Sequence, residues 1–217
     1  MNKRTVIVSG GSLDQELTLS ILRDSHTAHV IGVDKGLAFL YQHQILPDVI
    51  VGDFDSLSEG ILAFYKETTD IPVREFHPVK DATDTEIAIR LAIENGWDNL
   101  VILGATGTRM DHVWGNVQTL KAALDAGVDA CIMDAHNRIR LVRKGISMKK
   151  EDAYGNYFSV FPLEGSVEDL CIQGAKYPLT NHRLLPYDSL CVSNQFDSEQ
   201  VEITFSKGIL IFMETKD

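Results

Sequence analysis

The stretch VIVGDFDSL, residues 49–57, joins a short apolar run to two carboxylates at alternate positions. The apolar residues predict a buried strand, which Gly52 ends. In an extended segment, side chains two residues apart point the same way, so Asp53 and Asp55 are expected to face one spot beyond the strand. Carboxylates this close repel each other unless a cation lies between them, and Mg²⁺ prefers a few carboxylates together with phosphate oxygens and water. Taken alone, a D-x-D pattern is more often a solvated acidic turn.

Composition limits the classes of protein to which the chain can belong. Its 217 residues suffice for one large domain or two small ones. A net charge of −11, from 31 acidic and 20 basic residues, argues against broad contact with nucleic acid or an anionic membrane. No apolar run is long enough to span a bilayer and no signal-peptide core is present, so we expect a cytoplasmic protein. The three cysteines contain no C-x-x-C pair, which favours buried thiols over structural zinc.

Up to residue 135, apolar strands alternate with helical patterns, which predicts a Rossmann-like parallel sheet covered by helices on both faces. Two helix starts can be assigned. Ser12 is a candidate N-cap for a helix over 13–23, and Thr83 with Glu86 three residues later resembles a capping box. The glycine turn at 10–12 is typical either of a phosphate-binding loop or of a plain tight turn, since no complete phosphate-loop motif is present.

From residue 137 the pattern changes to short alternating runs separated by glycine turns, with no long helix. This pattern predicts an all-β domain, a β-sandwich. The expected strands lie within 138–142, 157–161, 170–172, 190–193, 201–205 and 209–212. We therefore expect two domains: an α/β domain over residues 1–135 and a β-sandwich over residues 136–217.

Charged residues follow the predicted strands of the first domain, where a parallel sheet presents its carboxyl ends at one edge. They are Asp34, Asp53, Asp55, Asp81, Asp84, Arg109 and Asp111. So acidic an edge favours a divalent cation, and a nearby arginine suits phosphate oxygens, which together indicate phosphoryl or pyrophosphoryl transfer. Each residue also has a structural interpretation. The aspartates that precede or open helices can be caps, Arg109 a surface ion pair, His112 a packed or capping residue and Trp114 core.

The same motifs resemble the thiamine pyrophosphokinase family along nearly the whole chain and in the same order. The segments are GVD at 32–34, PDVIVGDFDS at 47–56, KDATD at 80–84, GATGTRMDH at 104–112, VSNQF at 192–196 and GIL at 208–210. Each motif alone is weak, but the combination is specific. Lys35, Leu37, Thr108 and Val192 depart from the residues that are common in the family at these positions.

The resemblance implies a catalytic α/β domain, a thiamine-binding β-sandwich and a homodimer with active sites between subunits. It implies transfer of pyrophosphate from ATP to the hydroxyl of thiamine, giving thiamine diphosphate and AMP. By similarity, the catalytic and Mg²⁺-binding residues are Asp53, Asp55, Asp81 and Asp84. The residues implied to contact the nucleotide or thiamine are Asp34, Gly104, Arg109, Asp111, Ser193 and Asn194, with the last two expected to come from the second subunit.

Other functions fit parts of the sequence. A Mg²⁺-dependent D-x-D phosphohydrolase would explain Asp53 and Asp55, but that motif normally ends the first strand, and the motifs at 80–84 and 109–112 would have no role. A sugar-nucleotide transferase with a D-x-D metal site would depend on a nucleotide sugar. A non-catalytic thiamine or nucleotide sensor would bind its ligand without releasing AMP.

Overall fold

The computed structural model describes residues 3–55, 57–75 and 82–217. The chain divides into two compact units, Met1–Ala135 and His136–Asp217. The first contains parallel strands and helices, and the second contains antiparallel strands, which confirms an α/β part followed by an all-β part. None of the helices in the described part of the chain is long and apolar enough to cross a membrane.

The first unit alternates strands with helices along the chain. Its strands are β1 (Arg4–Val8), β2 (Thr27–Val33), β3 (Val49–Gly52), β4 (Val73–Glu75), β5 (Leu100–Leu103) and β6 (Ala130–Met133). Its helices are α1 (Gln15–Leu22), α2 (Gly36–Gln42), α3 (Glu59–Thr68), α4 (Asp84–Glu94) and α5 (Met110–Ala126). All four residues of both β3 and β5 are buried, as expected for strands covered on two faces.

The six strands are parallel and lie in the order β4-β3-β2-β1-β5-β6. From β1 the chain first builds outward on one side to β4, and then returns to place β5 and β6 on the other side. The order therefore reverses between β1 and β5. In open parallel sheets, ligands bind at such a reversal, outside the carboxyl ends of the strands.

Two helix starts show how local hydrogen bonding sets the boundaries. Helix α4 begins as predicted, because the Thr83 hydroxyl accepts a hydrogen bond from the Glu86 N–H at 3.2 Å. Helix α1 begins later than predicted: Asp14 is its N-cap and accepts from the Leu17 N–H at 2.8 Å. The assignment of Ser12 as this cap was wrong.

The second unit is built from strands alone, apart from a single 3₁₀ turn at Lys150–Asp152. Its strands are β7 (Asn137–Val142), β8 (Ile146–Lys149), β9 (Tyr157–Pro162), β10 (Val167–Gln173), β11 (Leu179–Leu184), β12 (Gln200–Thr204) and β13 (Leu210–Thr215). Within this unit, β7-β13-β9 form one antiparallel sheet and β11-β10-β12-β8 form another. Side chains from both sheets, among them Phe158, Leu170, Val201 and Phe212, pack into one core, as in a β-sandwich.

The segment 190–193 is not the strand that its apolar residues predicted. It is a turn, in which the Asp188 carboxylate accepts a hydrogen bond from the Leu190 N–H at 2.9 Å and the Val192 N–H donates to the Ser189 carbonyl at 3.3 Å. Strands β8 and β11 were not predicted. Both have mostly partly buried or exposed residues, so their apolar alternation is weak.

Candidate active site

A crevice of about 1010 Å³ lies at the carboxyl ends of the strands of the first unit. It spans the reversal of strand order between β1 and β5, and its size suits a nucleotide-sized ligand. The segments that line it follow β1, β2, β3 and β5 or open α4 and α5. The lining residues are found within 9–12, 33–35, 53–55, 82–86, 104–109 and 112–116.

The loops after β1 and β5 are fastened to each other across the crevice floor. The N–H groups of Gly11 and Ser12 donate to the carbonyls of Gly104 and Thr106, at 2.8 and 2.7 Å. Gly104 has a φ of 68°, and a side chain there would lie 2.2 Å from the Ser9 carbonyl oxygen. The glycines therefore allow close backbone packing. Because the N–H groups of Gly11 and Ser12 are already bonded within the protein, the tight-turn interpretation of residues 10–12 is the correct one.

Asp34 follows β2 in the left-handed conformation, with φ 44°, and is largely buried. Its carboxylate packs so close to Gly52 that a side chain at Gly52 would lie 2.1 Å from Asp34 Oδ1. Asp34 Oδ1 is buried and has no hydrogen-bond partner among the described residues. Burial, a hydrogen bond that protonated Asp34 donates to Asp84, and the charges of Asp84 and Asp53 raise the Asp34 pKa to about 7, although the Phe54 N–H, which donates to the carboxylate, lowers it.

Asp53 and Asp55 both line the crevice, but the segment that carries them is not extended as predicted. The strand ends at Gly52, and Phe54 takes a left-handed φ of 60°. The Asp55 N–H donates to Asp53 Oδ1 at 3.3 Å, so the two aspartates share a turn rather than alternate along a strand. The cause is Phe54, whose ring is buried in the core. A left-handed non-glycine residue costs about 1 kcal/mol, and such strain is frequent at functional sites.

Asp84 is the first residue of α4 and is partly buried in the crevice wall. The predicted capping role belongs to Thr83, so the Asp84 carboxylate is not needed as the helix cap. Ser9 and Thr85 were not expected to have a role. Their buried hydroxyls are 2.9 Å apart and tie the start of α4 to the end of β1. Asp81 lies outside the described residues.

Arg109 precedes α5 and forms an exposed ion pair with Asp111. The Nε and Nη2 atoms of Arg109 donate to the two carboxylate oxygens at 3.2 and 2.5 Å. This contact lowers the Asp111 pKa to about 2. Arg109 lines the crevice, whereas Asp111 lies beside it.

The first turns of α5 differ from their predicted packing. His112, predicted to be a packed or capping residue, lines the crevice and is exposed, so it is not packed. Trp114 was predicted to be core, but half of its surface is exposed. One turn after His112, Asn116 is buried and its Nδ2 donates to the Ala105 carbonyl at 2.8 Å. Residues four apart lie on the same face of a helix, so the spacing of His112 and Asn116 is the sequence signal that identifies the side of α5 facing the crevice.

Ser193 and Asn194 belong to the second unit, where they differ in exposure. Ser193 is exposed, has a φ of 57° and donates its N–H to Ser159 Oγ at 3.0 Å. Asn194 is 3% exposed: its Oδ1 accepts from the N–H groups of Tyr177 and Gln195, and its Nδ2 donates to the Tyr177 carbonyl. The Asn194 side chain therefore holds the loop, and Ser193 presents its hydroxyl to solvent.

Two observations indicate that the acidic residues of the crevice suit a divalent cation. Asp34 Oδ1 has no hydrogen-bond partner among the described residues, and the neighbouring carboxylates raise the Asp34 pKa. Within residues 3–55, 57–75 and 82–217, no group of three or more His, Cys, Asp or Glu side chains is arranged to hold a metal ion by itself. Mg²⁺ needs only one or two carboxylates when phosphate oxygens and waters complete its octahedron. The crevice thus suits a cation that arrives with a phosphate ligand.

Comparison with known proteins accounts for both units. Two family descriptions match in order: "Thiamin pyrophosphokinase, catalytic domain" over residues 23–132 and "Thiamin pyrophosphokinase, vitamin B1 binding domain" over residues 144–210. The chain belongs to the thiamine pyrophosphokinase family. A member from Bacillus subtilis is 32% identical over 211 residues, which is 97% of this chain and 98% of that protein.

Solved structures of family members agree with the fold. The B. subtilis thiamine pyrophosphokinase superposes with a TM-score of 0.88, over 99% of this chain and 100% of the other, at 32% identity. The Geobacillus thermodenitrificans enzyme gives a TM-score of 0.84 over 98% and 97%, at 31% identity. The family resemblance in the sequence motifs is therefore confirmed over the whole chain.

Proposed function

We propose that this chain transfers the pyrophosphoryl group of ATP to the hydroxyl of thiamine, giving thiamine diphosphate and AMP. The observation that carries the proposal is the match of both family domains, in order, to a chain that aligns almost end to end with a thiamine pyrophosphokinase. The acidic crevice in the first unit supplies a place for the reaction that is independent of the resemblance. A D-x-D phosphohydrolase has no comparable support.

The crevice is the proposed ATP site. The strand order of the first unit reverses beside it, as in Rossmann-like nucleotide-binding domains. Asp34, Gly104, Arg109 and Asp111 are the residues that we assign to contacts with the nucleotide. The exposed Arg109–Asp111 pair is weak enough to exchange for a phosphate, because solvent screens it. A guanidinium released in this way can bind phosphate oxygens in a bidentate manner.

Asp53 and Asp55, with Asp81 and Asp84, are the residues that would hold Mg²⁺. When bound, Mg²⁺ would offset charge on the phosphate oxygens of ATP. The partnerless Asp34 Oδ1, close to Asp53 and Asp84, supports this assignment, since it marks a place where negative charge lacks compensation. The turn at Phe54 keeps Asp53 and Asp55 together at the crevice.

The remaining roles concern proton transfer and the acceptor. We assign acceptance of the thiamine hydroxyl proton to Asp84 or Asp81. An acidic crevice also favours the cationic thiazolium ring of thiamine by simple Coulomb attraction. In the second unit, Ser193 is the proposed thiamine contact, and Asn194 positions it by holding the neighbouring loop. A homodimer is part of this proposal.

The direct test measures AMP release from MgATP with and without thiamine, together with the mass of the product. The proposal predicts thiamine-dependent AMP and thiamine diphosphate in equal amounts. Release of ADP or free phosphate that does not depend on thiamine would replace it with a phosphohydrolase. Thiamine binding without any AMP would instead identify a sensor.

A further inference from the structure

The described lining of the crevice contains more acidic than basic residues. Among its described lining residues, Glu86 is paired with Arg90, and Arg109 is paired with Asp111. The other described acidic residues of the lining are Asp34, Asp53, Asp55 and Asp84. The one further cation in this described lining is Lys35, which forms no ion pair or hydrogen bond through its side chain with any described residue. Lys35 is thus a positive charge that the protein places in an acidic site without using it there.

The backbone fixes the point from which the Lys35 side chain leaves. The N–H of Asp34 donates to the Val51 carbonyl at 3.1 Å, which ties residue 34 to β3. On the other side, a Cβ added to Gly36 would lie 2.0 Å from the Val8 carbonyl oxygen, so the chain presses against the end of β1. Gly10 also packs against this turn, since a Cβ there would lie 3.0 Å from the Lys35 Cβ. Lys35 therefore projects from a rigid turn clamped between β1 and β3.

Lys35 does not serve the neighbouring carboxylates. Although it follows Asp34 directly, the influences that act on the Asp34 pKa come from burial, Asp84, Asp53 and the Phe54 N–H, and Lys35 is not one of them. A lysine needed to neutralise the acidic edge would contact it. The ammonium group is instead available for a ligand that brings its own negative charge into the crevice.

We propose that Lys35 binds the phosphate chain of ATP and so sets the affinity of this site for the nucleotide. This inference rests on the proposed function, because it takes ATP as the ligand of the crevice. ATP carries more negative charge than a single Mg²⁺ offsets, and the remaining charge would meet four aspartates. A lysine ammonium on a flexible stem acts as a point charge for phosphate oxygens and requires no fixed geometry.

The test compares Lys35→Met, which keeps the length and removes the charge, with Lys35→Arg, which keeps the charge. Lys121→Met is the matched control, since Lys121 lies on α5 outside the crevice lining and pairs with Asp125. Calorimetry measures binding of Mg²⁺ with α,β-methylene-ATP in the absence of thiamine, because this analogue lacks the bond that the reaction breaks. Steady-state kinetics then give KM separately for ATP and for thiamine.

We expect Lys35→Met to weaken binding of the analogue by about ten- to a hundredfold, the usual range for loss of a charge-assisted hydrogen bond. KM for ATP should rise in parallel and KM for thiamine should not, while Lys35→Arg and Lys121→Met stay within about threefold of the wild type.

Unchanged binding of the analogue to Lys35→Met would overturn the proposal. So would equal losses in the Met and Arg variants, because these would indicate a structural role for the aliphatic stem. If the wild-type chain itself binds no ATP analogue, the proposed function fails, and the role of Lys35 fails with it.

Discussion

Two carboxyl groups, the buried Glu214 of the second unit and the partly buried Asp34 of the first, show opposite uses of negative charge. Glu214 in β13 is 1% exposed, and Arg138 donates to both of its oxygens at 2.6 and 2.5 Å, with a further hydrogen bond from the Tyr154 N–H. Asp34 in the crevice has the carboxyl groups of Asp84 and Asp53 beside it, and its Oδ1 has no partner within the described structure. Glu214 is balanced by the fold itself. Asp34 lacks such a partner, so its charge would be balanced by a proton or by a bound cation.

The largest change in stability is expected for a substitution of Glu214, whose charge is paired with Arg138. Glu214→Gln removes the charge that compensates the half-buried Arg138, and loss of one partner from a buried ion pair costs about 3 kcal/mol or more. We therefore expect the free energy of unfolding to fall by about that amount, with Mg²⁺ having no effect on the difference. Urea denaturation of the whole chain measures it.

Glu202→Gln on the neighbouring β12 is the matched control, since Glu202 is exposed and bonded to Ser147. It should leave the denaturation midpoint nearly unchanged. A Glu214→Gln protein as stable as the wild type would contradict the view that Glu214 completes the fold.

Asp34→Asn should have a smaller effect of opposite sign. Because the folded-state pKa of about 7 exceeds the ordinary value of 3.8, protonated Asp34 stabilises the fold below pH 4, and this contribution is lost as the pH rises through 7. Asparagine does not ionise and also tolerates a left-handed backbone. The variant should therefore be more stable than the wild type at pH 8, with the gain disappearing near pH 4.

The control for this prediction is to measure stability again with Mg²⁺ and an ATP analogue, because a cation beside the carboxylates reduces the repulsion between Asp34 and its acidic neighbours. The stability gain of Asp34→Asn at pH 8 should shrink in their presence. If Asp34→Asn were instead less stable than the wild type at pH 8, the Asp34 carboxylate would stabilise the fold as Glu214 does. The proposed difference between the two groups would then be wrong.

The smallest effect on stability is expected at Asp111. Its pKa of about 2 comes from the exposed contact with Arg109, and solvent screens that pair. Asp111→Asn should leave the thermal midpoint unchanged at pH 7 while raising KM for ATP or thiamine several-fold. A marked fall in the midpoint together with unaltered kinetics would make the Arg109–Asp111 pair structural.

Patterns that depend on near neighbours in sequence predicted the fold well. The alternation of strands and helices up to residue 135 is a local signal, as is the Thr83 N-cap of α4, and both are present in the structure. The prediction failed where distant contacts decide the conformation. Asp14 replaces Ser12 as the α1 cap while the Ser12 N–H bonds to Thr106. The turn at 190–193 is bonded to β9, because the Val160 N–H donates to the Cys191 carbonyl and the Ser193 N–H donates to Ser159 Oγ.

The same distinction holds for the candidate site. The carboxyl ends of parallel strands meet at one edge, so the gathering of Asp34, Asp53, Asp55 and Asp84 followed from topology alone. The detail did not, because burial of the Phe54 ring bends the D-x-D segment into a turn. The exposure of Trp114 was also not predicted, because helical spacing shows that an apolar residue lies on one face of a helix but not whether another element packs against that face.

The most direct test of the account is Asp53→Asn, assayed for thiamine-dependent AMP release across a Mg²⁺ titration. Asp70→Asn, at an exposed position of the same unit, is the control. If the acidic crevice is the catalytic centre, Asp53→Asn should fold normally by circular dichroism but lose at least a hundredfold in turnover and require more Mg²⁺. Turnover and Mg²⁺ dependence equal to those of the wild type would contradict the account and place the chemistry elsewhere in the molecule.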